Sequence, residues 1–386
     1  HLRWAAESSK RFLAAPLAVG TIDQALMAAL QVRHAHLRYG MLSRSLLVVD
    51  EVHASDAYMS ALLAQLLKAH LAAGGHALLL SATLGASARH RYQKLLSPQL
   101  GLPSLTQACA LPYPLLSDGL HLRALPESGR SKTVHWQLED AIDLPERIAE
   151  LALEAARQGA KVLIIRNTVP TSVATLQAIE ALGAKEGMEE VLFQVQGVRT
   201  VHHSRYSRED RPLLDAAVQV HMGKLRPALK ACIVVGTQTL EQSLDIDADL
   251  LITDLCPMDV LLQRVGRLHR HDRELIDRPQ ACRAARAVVL VPEGHSLEAC
   301  LDQPRHGLGR FKKGGGVYAD LRILEATRQL ITGAGHHVIP RDNRELVERA
   351  THPEILEQIT KAGGAAWCSM AWQSMGKRWP AAPRPI

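Results

Sequence analysis

The stretch Leu46-Leu47-Val48-Val49-Asp50-Glu51-Val52-His53 sets an acidic pair directly behind four consecutive apolar residues. Such a run, with its acidic end, reads as a buried strand from 46 to 50 in a parallel α/β sheet. In open α/β sheets the ligand binds beyond the carboxyl ends of the strands. Asp50 and Glu51 therefore stand where a nucleotide-hydrolysing domain holds Mg²⁺ and polarises water. Asp50 is the expected metal residue and Glu51 the expected base; the plainer alternative is an exposed turn with two solvated acids. His53 either links a nucleotide site to a second domain or packs at the start of the next helix, for which Asp56 is a candidate N-cap.

Outward from this point, strand-like runs alternate with helical patterns, which argues for parallel α/β layers. Residues 58–71 carry Met59, Leu62, Leu63, Leu66 and Leu67 on one helical stripe, Gly74-Gly75 ends that helix, and 76–81 reads as the next strand. Ser81-Ala82-Thr83 follows, with two hydroxyls able to bond the acidic loop and report nucleotide state; alternatively it is a strand end followed by a cap. Residues 102–132, rich in Pro, Ser and Gly, read as a connection between domains. A second α/β unit then shows strands at 161–166, 191–195, 231–235, 250–253 and 287–291, with helices at 170–182, 208–221 and 260–270. A loop is expected over 307–316, a helix over 318–332, and a disordered Pro-rich end. The expected division is 1–110, 111–285 and 286–386.

In Gln263-Arg264-Val265-Gly266-Arg267-Leu268-His269-Arg270, a single helix would place Gln263, Arg267 and Arg270 on one face. That face suits a polyphosphate, because guanidinium groups present a fixed fork of donors, and one or two could act as arginine fingers. Arg264 points elsewhere, towards an internal partner. The alternative is a solvated basic helix. Gly20-Thr21-Ile22-Asp23-Gln24 is a Gly-Thr turn opening a helix, where backbone N–H groups bind phosphates of a nucleic-acid strand or simply begin an ordinary helix. His271-Asp272 is rejected as a metal dyad, since no second cluster at ligand spacing accompanies it; His202-His203 and His336-His337 read as loop residues.

The 386 residues imply two or three domains. Forty-five Lys and Arg against 39 Asp and Glu give a net charge of +6, which permits a nucleic-acid partner without requiring one. The six cysteines form no CxxC pair, which argues against a zinc site or a disulfide framework and for a reduced, cytoplasmic setting. No apolar stretch is long enough to span a bilayer. The first residues carry neither an initiator Met nor a signal peptide, so the chain is expected to be part of a longer protein. No G-x-x-x-x-G-K-[ST] loop occurs; Gly223-Lys224-Leu225 and Gly376-Lys377-Arg378 lack its context.

Asp-Glu-Val-His, Ser-Ala-Thr and the 263–270 stretch resemble motifs II, III and VI of superfamily 2 helicases. More narrowly, residues 19–24, 50–59 and 238–247 are similar to the CRISPR-associated helicase-nuclease of type I systems, a resemblance covering roughly 15–275. It implies an α/β fold: two RecA-like parallel-sheet domains, the first truncated at its N-terminus, flanking an ATP cleft, plus a small C-terminal accessory region. Asp50 and Glu51 would serve Mg²⁺ and water, with His53, Gln263, Arg267 and Arg270 in the catalytic set and Arg267 and Arg270 reaching the γ-phosphate. Ser81 and Thr83 would couple nucleotide state to the strand; Asp245 and Arg264 would bind nucleotide, Asp245 at the ribose. Gly20, Thr21, Gln24 and Thr237 would touch the strand backbone. The implied activity is ATP-driven translocation on single-stranded DNA after recruitment by an RNA-guided CRISPR surveillance complex, by a monomer with no membrane partner. The phosphate loop and the His-Asp nuclease domain are expected upstream of His1. Two rival readings are a superfamily 2 helicase of repair or RNA processing, and a nucleotide-independent docking module.

Overall fold

The computed structural model describes residues 12–30, 32–52, 57–118, 121–126, 129–241, 244–310 and 316–376. By backbone contacts the chain divides at Pro126–Glu127 into two units.

In the first unit, β1 (Leu46–Val49) and β2 (His76–Leu79) pair in parallel, with Leu46 opposite His76. The helix Ala57–Ala72 crosses between them and buries Leu63, Leu66 and Leu67 against Leu47, Val49 and Val52. Burial along β1 alternates: Leu47 and Val49 are enclosed, whereas Leu46 is 61% and Val48 50% exposed. The expectation of a buried strand is corrected here. Among the described residues this sheet has two strands, and the core lies on one face, so only every second side chain is covered. The 102–132 stretch is not a bare connection. It holds the helix Leu105–Cys109, closed by a Ser104–Gln107 capping box, and the hairpin of β3 (Leu115–Asp118) and β4 (His121–Ala124). Gln93 Nε2 donates to Ser117 Oγ at 2.8 Å and the Tyr113 hydroxyl to the Ala82 carbonyl at 3.0 Å. These bonds tie the hairpin to the first unit, so the division falls after 126 and not at 110.

The second unit contains β5 (Lys132–Glu139), β6 (Lys161–Ile165), a small hairpin of β7 (Gln194–Val195) and β8 (Val198–Arg199), β9 (Cys232–Gly236), β10 (Leu250–Asp254), β11 (Ala285–Leu290), a short pair of β12 (Gly307–Leu308) and β13 (Gly316–Tyr318), and β14 (His336–Ile339). Six of these form one sheet in the order β14-β5-β11-β10-β6-β9, parallel except for the antiparallel edge strand β14. Every residue of β6, β9 and β10 is buried, as parallel strands sheathed on both faces require. Helices Pro145–Arg157 and Val169–Glu186 supply part of that cover.

The strand expected at 191–195 reduces to β7 plus a single bridge from Leu192 to Ile233. The boundary expected at 285 falls on the first residue of β11, and β14 returns from beyond it to pair with β5. Residues 286–376 are therefore partly built into the second sheet, with helices Leu321–Ala334, Asn343–Thr351 and Pro353–Ala362 packed on it. No helix is long and apolar enough to cross a membrane among the described residues. The Pro-rich end, 377–386, lies outside them.

Candidate nucleotide and strand site

At the end of β1 the Leu80 N–H donates to the Val49 carbonyl at 2.8 Å and the Val52 N–H to the Leu80 carbonyl at 3.0 Å. These two bonds pin the turn between them, and Asp50 and Glu51 project from it into solvent. Glu51 has φ 53°, a left-handed value that non-glycine residues rarely adopt, and its N–H donates to Asp50 Oδ1 at 2.9 Å. Two adjacent exposed carboxylates are hard oxygen donors of the kind Mg²⁺ takes, so the residues present fit that ion. His53 and Asp56 lie outside the described residues.

The Ser-Ala-Thr segment follows β2 directly. Ser81 Oγ accepts the Thr83 N–H at 3.1 Å, and Thr83 is buried. The acidic turn and this segment are thus neighbours through the Val52–Leu80 backbone bond. Gly20 and Thr21 are exposed at the start of the helix Ile22–Leu26, with Gln24 half-buried in its first turn. The Thr21 hydroxyl makes no cap bond to this helix, so the segment is not an ordinary side-chain cap.

In the second unit the arginine-bearing segment differs from expectation. The helix Met258–Val265 stops at Gly266, and Leu268 forms a parallel bridge with Ala248. Ala248 N–H donates to the Arg267 carbonyl at 2.8 Å and His269 N–H to the Ala248 carbonyl at 3.0 Å. The shared helical face of Gln263, Arg267 and Arg270 is therefore corrected: Gln263 is helical, whereas Arg267 and Arg270 ride on a turn drawn against residue 248. Arg267 Nη2 donates to the Glu241 carbonyl at 2.5 Å. Arg270 Nε donates to Asp245 Oδ1 at 2.7 Å, and His271 Nε2 lies 2.8 Å from the same oxygen. Asp245, assigned to a ribose from the resemblance, is thus paired to an arginine assigned to the phosphate. Asp272 pairs instead with Arg130 at 3.0 Å, so His271 and Asp272 have separate partners.

Arg264 is corrected as a nucleotide ligand. It is 0% exposed, and its guanidinium donates to Glu241 Oε1 at 2.7 Å, Thr253 Oγ1 at 2.6 Å, the Asp254 carbonyl at 3.2 Å, Asn167 Oδ1 at 3.0 Å and the Tyr318 hydroxyl at 3.1 Å. Burial raises the pKa of Glu241, against the pull of Arg264. Beside this network Arg166 Nε meets Asp254 Oδ1 at 2.7 Å, with Asn167 N–H on the other carboxylate oxygen at 2.8 Å. Sequence reasoning passed over Arg166, Asn167 and Asp254. The signal was present: Asp254 ends one apolar strand and Arg166 follows its parallel neighbour.

Thr237 is only 4% exposed and its N–H donates to the His202 carbonyl at 2.9 Å, which corrects the expectation of an open strand contact. The approach is close: a Cβ on Gly236 would stand 2.4 Å from the His202 carbonyl oxygen. His202 is no plain loop residue. It is buried between Asp215 at 2.7 Å and Thr239 at 2.8 Å. His336 and His337 belong to β14, and His337 Nδ1 accepts the Trp136 indole N–H at 2.8 Å.

A further buried cluster steadies the turn. Asp247 takes Arg278 Nη2 at 2.9 Å and also Arg273, while Asp249 takes Arg278 Nη1 at 2.5 Å and also Arg226. Burial alone would raise the Asp247 carboxyl, but hydrogen bonds from Arg273 and Arg278 hold it down to about 2. Because this folded value lies below the unfolded one of 3.8, the stabilisation is fully present above that value and is lost as pH falls through about 2. Urea midpoints measured from pH 5 downward should fall more steeply for the native chain than for Asp247→Asn; parallel curves would deny the carboxylate this role.

Residues 158–273 match a family model described as CRISPR-associated nuclease/helicase Cas3, C-terminal. The chain is 34% identical over 341 residues to the CRISPR-associated endonuclease/helicase Cas3 of Escherichia coli (strain K12), covering 85% of this chain and 35% of that protein. The crystal structure of T. fusca Cas3-ATP matches with a TM-score of 0.74 at 29% identity, covering 97% of this chain and 43% of that one. A chain in a pre-nicking CRISPR RNA-guided surveillance complex matches with a TM-score of 0.65 at 26% identity, covering 96% and 45%. The chain spans little more than a third of the length of the first two curated relatives it matches.

Proposed function

Since this chain belongs to the CRISPR-associated nuclease/helicase Cas3 family, we propose that it is part of an ATP-dependent translocase that moves along single-stranded DNA in CRISPR interference. An RNA-guided surveillance complex recruits the parent protein, which feeds the displaced strand to degradation. The observation that carries this reading is the pinned turn at the end of β1, which presents Asp50 and Glu51 to solvent.

Asp50 would hold Mg²⁺, which when bound would supply positive charge to offset that of the polyphosphate oxygens. Glu51 orients the attacking water and accepts its proton. Arg267 and Arg270 stabilise the charge that builds on the transferred phosphoryl group, assisted by Gln263. Arg270 first has to leave Asp245. Ser81 and Thr83 pass the state of the acidic turn along the backbone bond they adjoin. Gly20, Thr21 and Gln24 meet the strand backbone, where exposed N–H groups and hydroxyls suit phosphates. The working form is a monomer in the cytoplasm.

The test is ATP hydrolysis by the intact protein. Turnover should rise several-fold with single-stranded DNA, rise far less with blunt duplex, and stop on chelation of Mg²⁺. Turnover indifferent to single strands, or surviving chelation, would overturn the reading.

A further inference from the structure

Lys132, the first residue of β5, lies far in sequence from the arginine segment but touches it at two points. Its Nζ donates to the Val265 carbonyl at 2.7 Å and to the Leu268 carbonyl. Val265 is the last residue of the helix Met258–Val265, and its carbonyl accepts the Leu268 N–H at 3.0 Å as well as the Lys132 amine. Leu268 is the residue that bridges Ala248. Gly266 and Arg267 run between the two carbonyls, and Arg270 follows two residues beyond. The room there is tight, since a Cβ on Gly266 would stand 2.9 Å from the Gln263 carbonyl oxygen.

We infer that Lys132 is a positioning residue for Arg267 and Arg270: its side-chain amino group bonds the carbonyls at the helix C-terminus and fixes the path of the chain that carries both guanidinium groups. The inference rests on those arginines acting on ATP as proposed above.

The charge environment supports it. A cation is favoured at a helix C-terminus, where carbonyl dipoles converge. Apart from the Asp247 carboxylate, what else surrounds this one is adverse. Burial, foremost, brings its pKa down to about 7; Arg270, Arg130 and Arg278 push in the same direction and Asp247 opposes them. His269 nearby is itself lowered to about 4 by burial and carries no charge at neutral pH. A lysine buried among three arginines adds to local repulsion and is not there for general charge balance. The two carbonyl bonds are its specific contacts, and both belong to the arginine segment.

The experiment uses the intact protein with Lys132→Met, which removes the donors, and Lys132→Arg, which keeps donors and charge. Lys132→Met should lower kcat for DNA-stimulated ATP hydrolysis by about 10–100-fold, the scale on which a small misplacement of a catalytic group acts. KM for ATP and affinity for single-stranded DNA should change little, and Lys132→Arg should recover most of kcat. Amide exchange over 266–270 should quicken in Lys132→Met while β6 and β10 keep their protection. An unchanged kcat, or exchange that rises equally across the second unit, would overturn the inference. If Lys132→Met does not fold, Lys132→Leu, which also removes the donors, takes its place under the same criteria. Arg267→Ala run in parallel separates the two failures. If it keeps full turnover, the ATP reading of the arginines is wrong and this inference falls with it. If it is inactive while the Lys132 variants match the native protein, only the role of Lys132 fails.

Discussion

Arg267→Ala in the intact protein is expected to cut DNA-stimulated ATP turnover by about 10³-fold or more, the range in which phosphoryl-transfer arginines act. Binding of single-stranded DNA should persist. Negative charge accumulates on the phosphoryl oxygens as the bond to the leaving group breaks, and a planar cation with several donors stabilises that state more than the ground state. In the proposed role Arg267 would act from a constrained position. It is half-buried, it sits on a turn held by Ala248, and one guanidinium nitrogen is steadied by the Glu241 carbonyl. The loss should therefore appear in kcat, with DNA affinity and thermal unfolding close to native. Turnover within a few-fold of native would remove Arg267 from the reaction. A matching loss of DNA affinity would recast it as a strand contact.

Arg264→Ala, three residues earlier, should act on a different quantity. Here we expect the second unit to lose about 3–5 kcal/mol of stability, the cost of leaving a buried charge without its partner. Glu241 would remain buried without its cation, and Asn167, Thr253, Tyr318 and the Asp254 carbonyl would each lose a donor. The unfolding midpoint of that unit should drop by roughly 10 °C, scaling the loss by domain size. Arg264→Lys should rescue little, because one ammonium cannot reach a set of acceptors arranged around a planar fork. Native-like melting with lost turnover would return Arg264 to the nucleotide ligands. The two neighbouring arginines thus test opposite assignments within one motif, one through rate and one through stability.

The continuous apolar runs made β6, β9 and β10 legible, because strands covered on both faces carry no polar alternation. The same logic misread β1: Leu46-Leu47-Val48-Val49 is as apolar as any of them, yet among the described residues it is covered on one face. A run of letters reports what a strand could bury, and not how many layers lie against it. β5 escaped notice because Lys132-Thr133-Val134-His135-Trp136 alternates, and β14 because two adjacent histidines read as loop.

At the site, the acidic turn was legible in position, while its left-handed Glu51 was not. Helical spacing failed at 263–270. Gly266 itself keeps right-handed values, φ −56° and ψ −16°; the path departs where His269 turns left-handed at φ 45° and Leu268 is drawn into a bridge with Ala248, a tertiary contact to which periodicity is blind. Arg264 could be guessed to face inward, but its partners come from four separate stretches and could not be named. Lys132 carried no motif at all; its meaning lies in two carbonyls more than a hundred residues away.

The polar network around Arg264 has a consequence for descent. Asn167, Glu241, Arg264 and Tyr318 belong to distant parts of the chain but form one hydrogen-bonded set, so the worth of each depends on the others. Drift at one position removes a partner from the rest. These four positions should be inherited as a block, changing together or not at all. Chimeras between relatives that cross over between 167 and 318 should survive when both parents carry the same set, and fail when they do not.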